Sequence, residues 1–280
     1  MIPRTRLHPR ESGFTLVELA LVMGIVALLL GGLMVPVARM LEQKATATTQ
    51  ATLETAQQAL LGFALLNKRL PCPDIGTSGL EGTYDIATNR CSSLSSPSFS
   101  DPADASWGYL PWATLGVSGA DAWGRRLRYT VPTPMASPIL GAFNAEVTST
   151  TSSKLIIKCT VRTSASVPSC FSSASSTTPI TPTDKAVFVV YSLGKNGRGA
   201  ISMDGLSTVA APDPTNPANS DEIQNLPDSS ASGSNATSRR TFVSRLHTDA
   251  VNPAGEFDDL MVWMPASLLV AKLLAAGQWP

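Results

Sequence analysis

Gly13-Phe14-Thr15-Leu16-Val17-Glu18-Leu19 marks an abrupt junction between a charged leader and an apolar run. The leader, residues 1–13, carries Arg4, Arg6, Arg10 and Glu11, whereas residues 19–38 carry no charge at all. A run of about 20 apolar residues makes roughly 30 Å of helix, the thickness of a bilayer's hydrocarbon core. Positive residues ahead of such a run hold that end in the cytoplasm and send the rest of the chain outward. Glu18 breaks the pattern, because a carboxylate at the hydrocarbon edge is costly and marks function. A secretory signal would end its shorter apolar core in small residues at a cut site. Here the distinctive residues lie at the charged-to-apolar junction itself.

The string Gly-Phe-Thr-Leu-Val-Glu leading directly into an apolar helix resembles the class III leader of type IV prepilins and type II secretion pseudopilins. The resemblance implies cleavage after Gly13, methylation of the new amino terminus at Phe14, and an assembly role for Glu18, the fifth residue of the mature chain. It also implies a prepilin peptidase, other pilin-like subunits met through the N-terminal helix, and an inner-membrane assembly platform as partners.

Helical periodicity continues past the apolar run, through Val37, Met40, Leu41, Ala45, Thr48, Ala56, Ala59, Leu60, Phe63 and Leu66. Gly31, Gly32 and Pro36 are expected to loosen or kink the helix. Pro71 and Pro73 should end it near residues 68–70. The expected organisation is a leader over 1–13, a helix over 14–70 that spans the membrane at about 16–38, and an exported domain over 71–280. Within that domain residues 71–105 read as a loop, and strands are predicted at 127–131, 155–161, 186–192 and 260–264. Segments near 164–183 and 206–240 are rich in Ser, Pro, Asn and Asp and read as loose inserts. A closing amphipathic helix over 268–276 would be capped by Ser267. The fold class is therefore α+β, a long helix packed on a small antiparallel sheet, which matches the shape of pilins.

Trp107-Gly108-Tyr109-Leu110-Pro111-Trp112 and Asp121-Ala122-Trp123-Gly124 resemble the pseudopilin connection that enters the first strand. Asp121 and Gly124 suit a turn, and Trp107, Trp112 and Trp123 offer large apolar area to cap the helix rather than a sugar-binding patch.

The four cysteines, Cys72, Cys91, Cys159 and Cys170, all fall on the exported side, where an even count reads as disulfides. Three connectivities are open; proximity favours Cys72 with Cys91 and Cys159 with Cys170. A four-thiolate zinc site would need a Cys-x-x-Cys pair, which is missing. Formal charge is zero, and the leader takes three arginines and one glutamate with it, leaving the mature chain near −2. No basic patch points to nucleic acid.

Chemistry has little to work with. The exported part holds a single histidine, His247, and there is neither a Gly-x-Ser-x-Gly elbow nor a phosphate-binding P-loop. Ser192-Leu193-Gly194-Lys195-Asn196-Gly197 resembles a turn that the major pseudopilin uses, with a downstream acidic pair, to bind calcium. The resemblance makes Asn196, Asp258 and Asp259 candidate oxygen ligands, although Lys195 brings a positive charge into the turn. No other cofactor is implied. The chain thus reads as a non-enzymatic, single-pass inner-membrane pseudopilin with a periplasmic domain, a minor subunit of a type II secretion pseudopilus. The alternatives are a minor pilin of a type IV pilus with an adhesive or initiating role and, more remotely, a membrane-tethered hydrolase.

Overall fold

The computed structural model describes residues 13, 15–88, 90–91, 105–139, 141–149, 155–159, 180–213, 216, 220–226, 241–249 and 255–278, with the side chains at 30–36, 159, 180 and 220 left out. Residues 1–12, Phe14, Cys170 and the segment 227–240 lie outside the described residues.

Helix α1, Leu16–Asn67, continues through Pro36 without a break in its helical assignment. It crosses the limit between two compact units, Met1–Ala45 and Thr46–Pro280. In the first unit Leu16, Val17, Leu21, Met23, Leu28, Leu29, Met40 and Leu41 all face outward, uncovered by the chain itself. Among the described residues no helix is long and apolar enough to cross a membrane. The side chains at 30–36, which belong to the expected span, lie outside that description.

In the second unit one face of α1 is buried through Thr49, Leu53, Ala56, Leu60 and Ala64, spaced three to four apart. This face differs from the expected stripe. Ala56 and Leu60 belong to both, but Leu66 is 85% exposed and Thr49 is fully buried. The reason is local: Thr49 Oγ1 accepts the Ala122 N–H at 3.0 Å, so a polar residue holds a core position. The helix ends at Asn67, where Lys68 adopts φ 54° and donates Nζ to the Gln278 carbonyl and side chain at 2.5 and 2.6 Å.

A two-stranded ribbon follows, β1 (Tyr84–Asp85) on β2 (Arg90–Cys91). The Cys72–Cys91 disulfide closes this segment, with Cα atoms 5.5 Å apart. A loop of that size is worth about 3 kcal/mol in the chain-entropy account. The expected partner bridge falls at Cys159 and Cys170, whose side chains lie outside the described residues.

The main sheet is built from β3 (Ala105–Tyr109), β4 (Arg128–Pro132), β5 (Leu155–Cys159), β6 (Ile180–Ser192), β7 (Thr241–Val243) and β8 (Leu260–Pro265). Short helices interrupt it: α2 (Trp112–Leu115), α3 (Ala142–Thr148), α4 (Ser220–Gln224) and the closing α5 (Ala266–Ala275). The strand order is β3-β4-β6-β5-β7, with β8 also paired to β6. This sheet is mixed, not wholly antiparallel as expected, because β7 runs parallel to β5. The long strand β6 is buried from Ala186 to Ser192, and from Phe188 to Tyr191 its side chains alternate between two cores. Phe188 and Val190 join Leu53, Leu60, Leu127, Tyr129 and Leu269 on one side. Val189 and Tyr191 join Leu155, Ile157, Phe242 and Met261 on the other.

Three local expectations are corrected. The stretch 71–105 that read as a loop holds β1 and β2, and β3 starts at its last residue, Ala105, and runs on through the segment read as a connection. Within an expected loose insert, residues 220–224 fold as α4, and the segment through 226 buries Asp221, Glu222, Asn225 and Leu226. The closing helix begins at Ala266 with Pro265 at its cap position and no side-chain cap bond, so Ser267 is a helix residue. Trp107 is buried, and Trp112 slots between two glycines, where a Cβ at Gly79 or Gly119 would meet its ring at 2.1 or 2.3 Å. These two rings are packing groups, and Trp123 is half-buried beside the turn.

Candidate functional site

Two places carry the residues singled out above. At the amino-terminal junction, Gly13 lies exposed outside α1 and a Cβ there would meet nothing within 4 Å. The chain's own packing therefore sets no demand for glycine at that position. Two residues on, Thr15 forms a capping box with Glu18. Glu18 N–H donates to Thr15 Oγ1 at 3.2 Å, and Thr15 N–H and Oγ1 donate to Glu18 Oε2 at 3.1 and 3.0 Å. This satisfies donors that a helix start leaves orphaned, an effect of about 1 kcal/mol. The sequence reading gives Glu18 an assembly role by resemblance and leaves Thr15 unassigned, although T-x-x-E ahead of an apolar run is the capping-box pattern.

The second place is one end of the main sheet, and strand register builds it. Ser192, the last residue of β6, pairs with Leu260, the first of β8, so residues 193–197 meet residues 258–259 there. Tyr191 also pairs with Arg128, the first residue of β4, which brings residues 121–127 to the same end. Asp121 organises that turn. Its Oδ1 accepts the Trp123 and Arg125 N–H groups, both at 2.9 Å, and its Oδ2 accepts the Ser192 hydroxyl at 2.6 Å.

Asn196 and Asp258 come together as the sequence suggested: the Asn196 N–H donates to Asp258 Oδ2 at 2.6 Å. Asp259 turns elsewhere and accepts Asn225 Nδ2 at 2.7 Å. The loop also gathers residues that the sequence reading did not assign. Asn196 Nδ2 donates to Glu222 Oε1 at 2.8 Å. Arg198 lies between Glu256 at 3.0 Å and Glu222 at 3.6 Å, and Arg245 pairs with Asp221 at 2.8 Å. Burial pushes the Glu222 carboxyl up to about 7 and raises those of Asp258 and Asp259 as well. No pattern in the Ser- and Pro-rich stretch around α4 signals these contacts; only the fold brings Glu222 here.

A calcium ion needs six to eight oxygens around it. The turn carbonyls of Gly194 and Lys195 instead accept Arg125 Nη1 at 2.7 and 2.9 Å. Asn196 Oδ1 accepts the Arg198 N–H at 3.0 Å, and one oxygen each of Asp258 and Asp259 is taken as described. Asp258 Oδ1 alone of these is buried with no hydrogen-bond partner among the described residues. Nor do three carboxylate, imidazole or thiolate groups converge as metal ligands among them. This donor set does not fit a calcium ion. His247 is exposed, and the described polar residues at this end pair with one another to tie loops together.

Fold and junction together define an α+β chain whose long amino-terminal helix follows a short charged leader. Residues 8–34 match the family model of the prokaryotic N-terminal methylation motif, the hallmark of type IV prepilin-like proteins. Comparison with curated proteins and with solved structures finds no match.

Proposed function

We propose that this chain is a pilin-like structural subunit, a pseudopilin processed by prepilin peptidase and assembled as a minor member of a type II secretion pseudopilus. The observation that carries this reading is the junction. The methylation motif covers residues 8–34, and α1 starts at Leu16 with an outward-facing apolar surface that its own chain leaves uncovered. Such a surface belongs against lipid before assembly and against neighbouring helices after it. In this reading the protein sits in the inner membrane with its amino terminus cytoplasmic and residues 71–280 periplasmic. It acts through contact, not catalysis.

Cleavage gives the sharpest test. Gly13→Val adds a side chain that the chain itself has room for, so the variant should fold and insert normally. A peptidase that must approach the backbone at the cut is blocked by that Cβ. Mass spectrometry should find the variant heavier by the leader and the wild type starting at N-methylated Phe14. A Gly13→Val protein that begins at methylated Phe14 removes the reading.

Glu18→Ala separates assembly from processing. Once the leader is gone, the Phe14 amine lies four residues ahead of Glu18 in the sequence. An ion pair between subunits specifies their stagger more than their affinity. The variant should be cleaved and inserted as the wild type is, yet crosslink to partner subunits at least about tenfold less, the equivalent of one lost charge pair. Wild-type crosslinking would end the register argument. Deleting the gene and scoring exoprotein release against twitching then distinguishes a secretion pseudopilus from a type IV pilus.

A further inference from the structure

We propose that the Arg125 guanidinium is the resident cation of the 193–199 turn, standing where a calcium ion would be expected, so that this turn holds its shape without metal. The argument begins with backbone geometry. Gly194 and Gly197 have φ of +63° and +57°, which curls the turn and aims the Gly194 and Lys195 carbonyls at one point. Arg125 Nη1 sits at that point, 2.7 and 2.9 Å from the two oxygens. These are charge-assisted bonds from a cationic side chain.

The main chain of Arg125 is anchored as well. Its backbone N–H donates to Asp121, which in turn accepts the Ser192 hydroxyl at the root of the turn. The loop makes room for it: a Cβ at Gly197 would lie 1.8 Å from Nη1. A divalent ion on the same carbonyls would stand within a few ångströms of a fixed positive charge, with the Lys195 ammonium on the same turn. Repulsion at that distance outweighs what one unpartnered Asp258 oxygen offers. This inference is independent of the pseudopilus assignment, since it concerns how the turn is held and not what the chain assembles into.

The test uses the full chain in detergent, with calcium or EGTA as the probe, read by thermal unfolding. Wild type should melt at the same temperature in both. Arg125→Ala should melt roughly 4–10 °C lower in EGTA. With the guanidinium gone the carbonyls are free, and calcium should recover part of that loss. Should the alanine variant fail to fold, Arg125→Lys keeps a cation but not the planar fork; it should melt below wild type and stay indifferent to calcium. A wild-type melting temperature that rises with calcium overturns the proposal. So does an Arg125→Ala protein that melts like wild type, because the guanidinium would then not be holding the turn.

Discussion

Asp121→Ala should cost about 3–5 kcal/mol, more than the loss of any other single polar side chain in the sheet-end network. Asp121 is buried and its carboxylate accepts three donors, the Trp123 and Arg125 amides and the Ser192 hydroxyl. Truncation strands the Ser192 hydroxyl in the interior and the two amides in a part-buried turn, at about 1 kcal/mol or more each. The damage spreads because the same turn meets two other elements. Ala122 donates to Thr49 on α1, and Arg125 reaches across 69 residues of sequence to the Gly194 carbonyl. Urea unfolding of the full chain in detergent should show the midpoint falling steeply for Asp121→Ala. Asp121→Asn keeps acceptor capacity at one oxygen and should fall by about half as much. A loss below about 1 kcal/mol for the alanine variant would mean that the turn is held by something other than this carboxylate.

Asp121 also shows how far the sequence could be read. An aspartate followed three residues later by glycine announces a turn on local grounds, and the turn is there: Gly124 N–H donates to the Asp121 carbonyl at 3.1 Å. Strands made of β-branched and aromatic runs, such as Val187-Phe188-Val189-Val190-Tyr191, were legible for the same reason, as was the helix end ahead of Pro71. What stayed hidden depends on partners distant in the chain. Ala105-Ser106-Trp107-Gly108-Tyr109 has a serine and a glycine in its middle and becomes a strand by pairing residue for residue with β4. Gly108 is needed because a Cβ there would lie 2.6 Å from the Asp74 carbonyl, a close approach no local pattern encodes. The helix α4 is polar and short, and it is ordered by tertiary hydrogen bonds. Asn225 donates to Val243 and Asp259, while Asn196 reaches Glu222. At the candidate site Asp258 and Asp259 were readable, but Glu222 and the arginines that answer the acids were not. The reach of Arg125 to residues 194 and 195 exists only after β4 and β6 have paired.

Those acids also make stability fall as pH rises. Burial raises the Glu222 carboxyl from 4.5 in the unfolded chain to about 7 in the fold, with Asp258 and Glu256 pushing the same way and Asn196 and Arg198 opposing. Below the unfolded value both states hold the proton, and Glu222 has no effect on the balance. Between 4.5 and about 7 the native chain binds more proton than the unfolded one, so stability declines with rising pH. Above that window the native state carries a buried charge and the full penalty, about 3 kcal/mol. The raised carboxyls of Asp258 and Asp259 act in the same direction, starting from their lower unfolded value of 3.8. The exposed Asp85 and Asp204 carboxyls are lowered and act in the opposite direction. They lie in solvent, where screening keeps such effects small, so the buried group decides the sign. The urea midpoint of the wild type should therefore be higher at pH 5 than at pH 8. Glu222→Gln removes the charge while keeping an oxygen to accept from Asn196 Nδ2, and it loses only the longer of the two Arg198 pairs, 3.6 Å against 3.0 Å to Glu256. It should be more stable than wild type at pH 8 and show a flatter profile between pH 5 and 7. A wild-type midpoint that climbs from pH 5 to pH 8 would mean that Glu222 stays ionised in the fold. In that case Arg198 must neutralise it more strongly than a 3.6 Å separation implies.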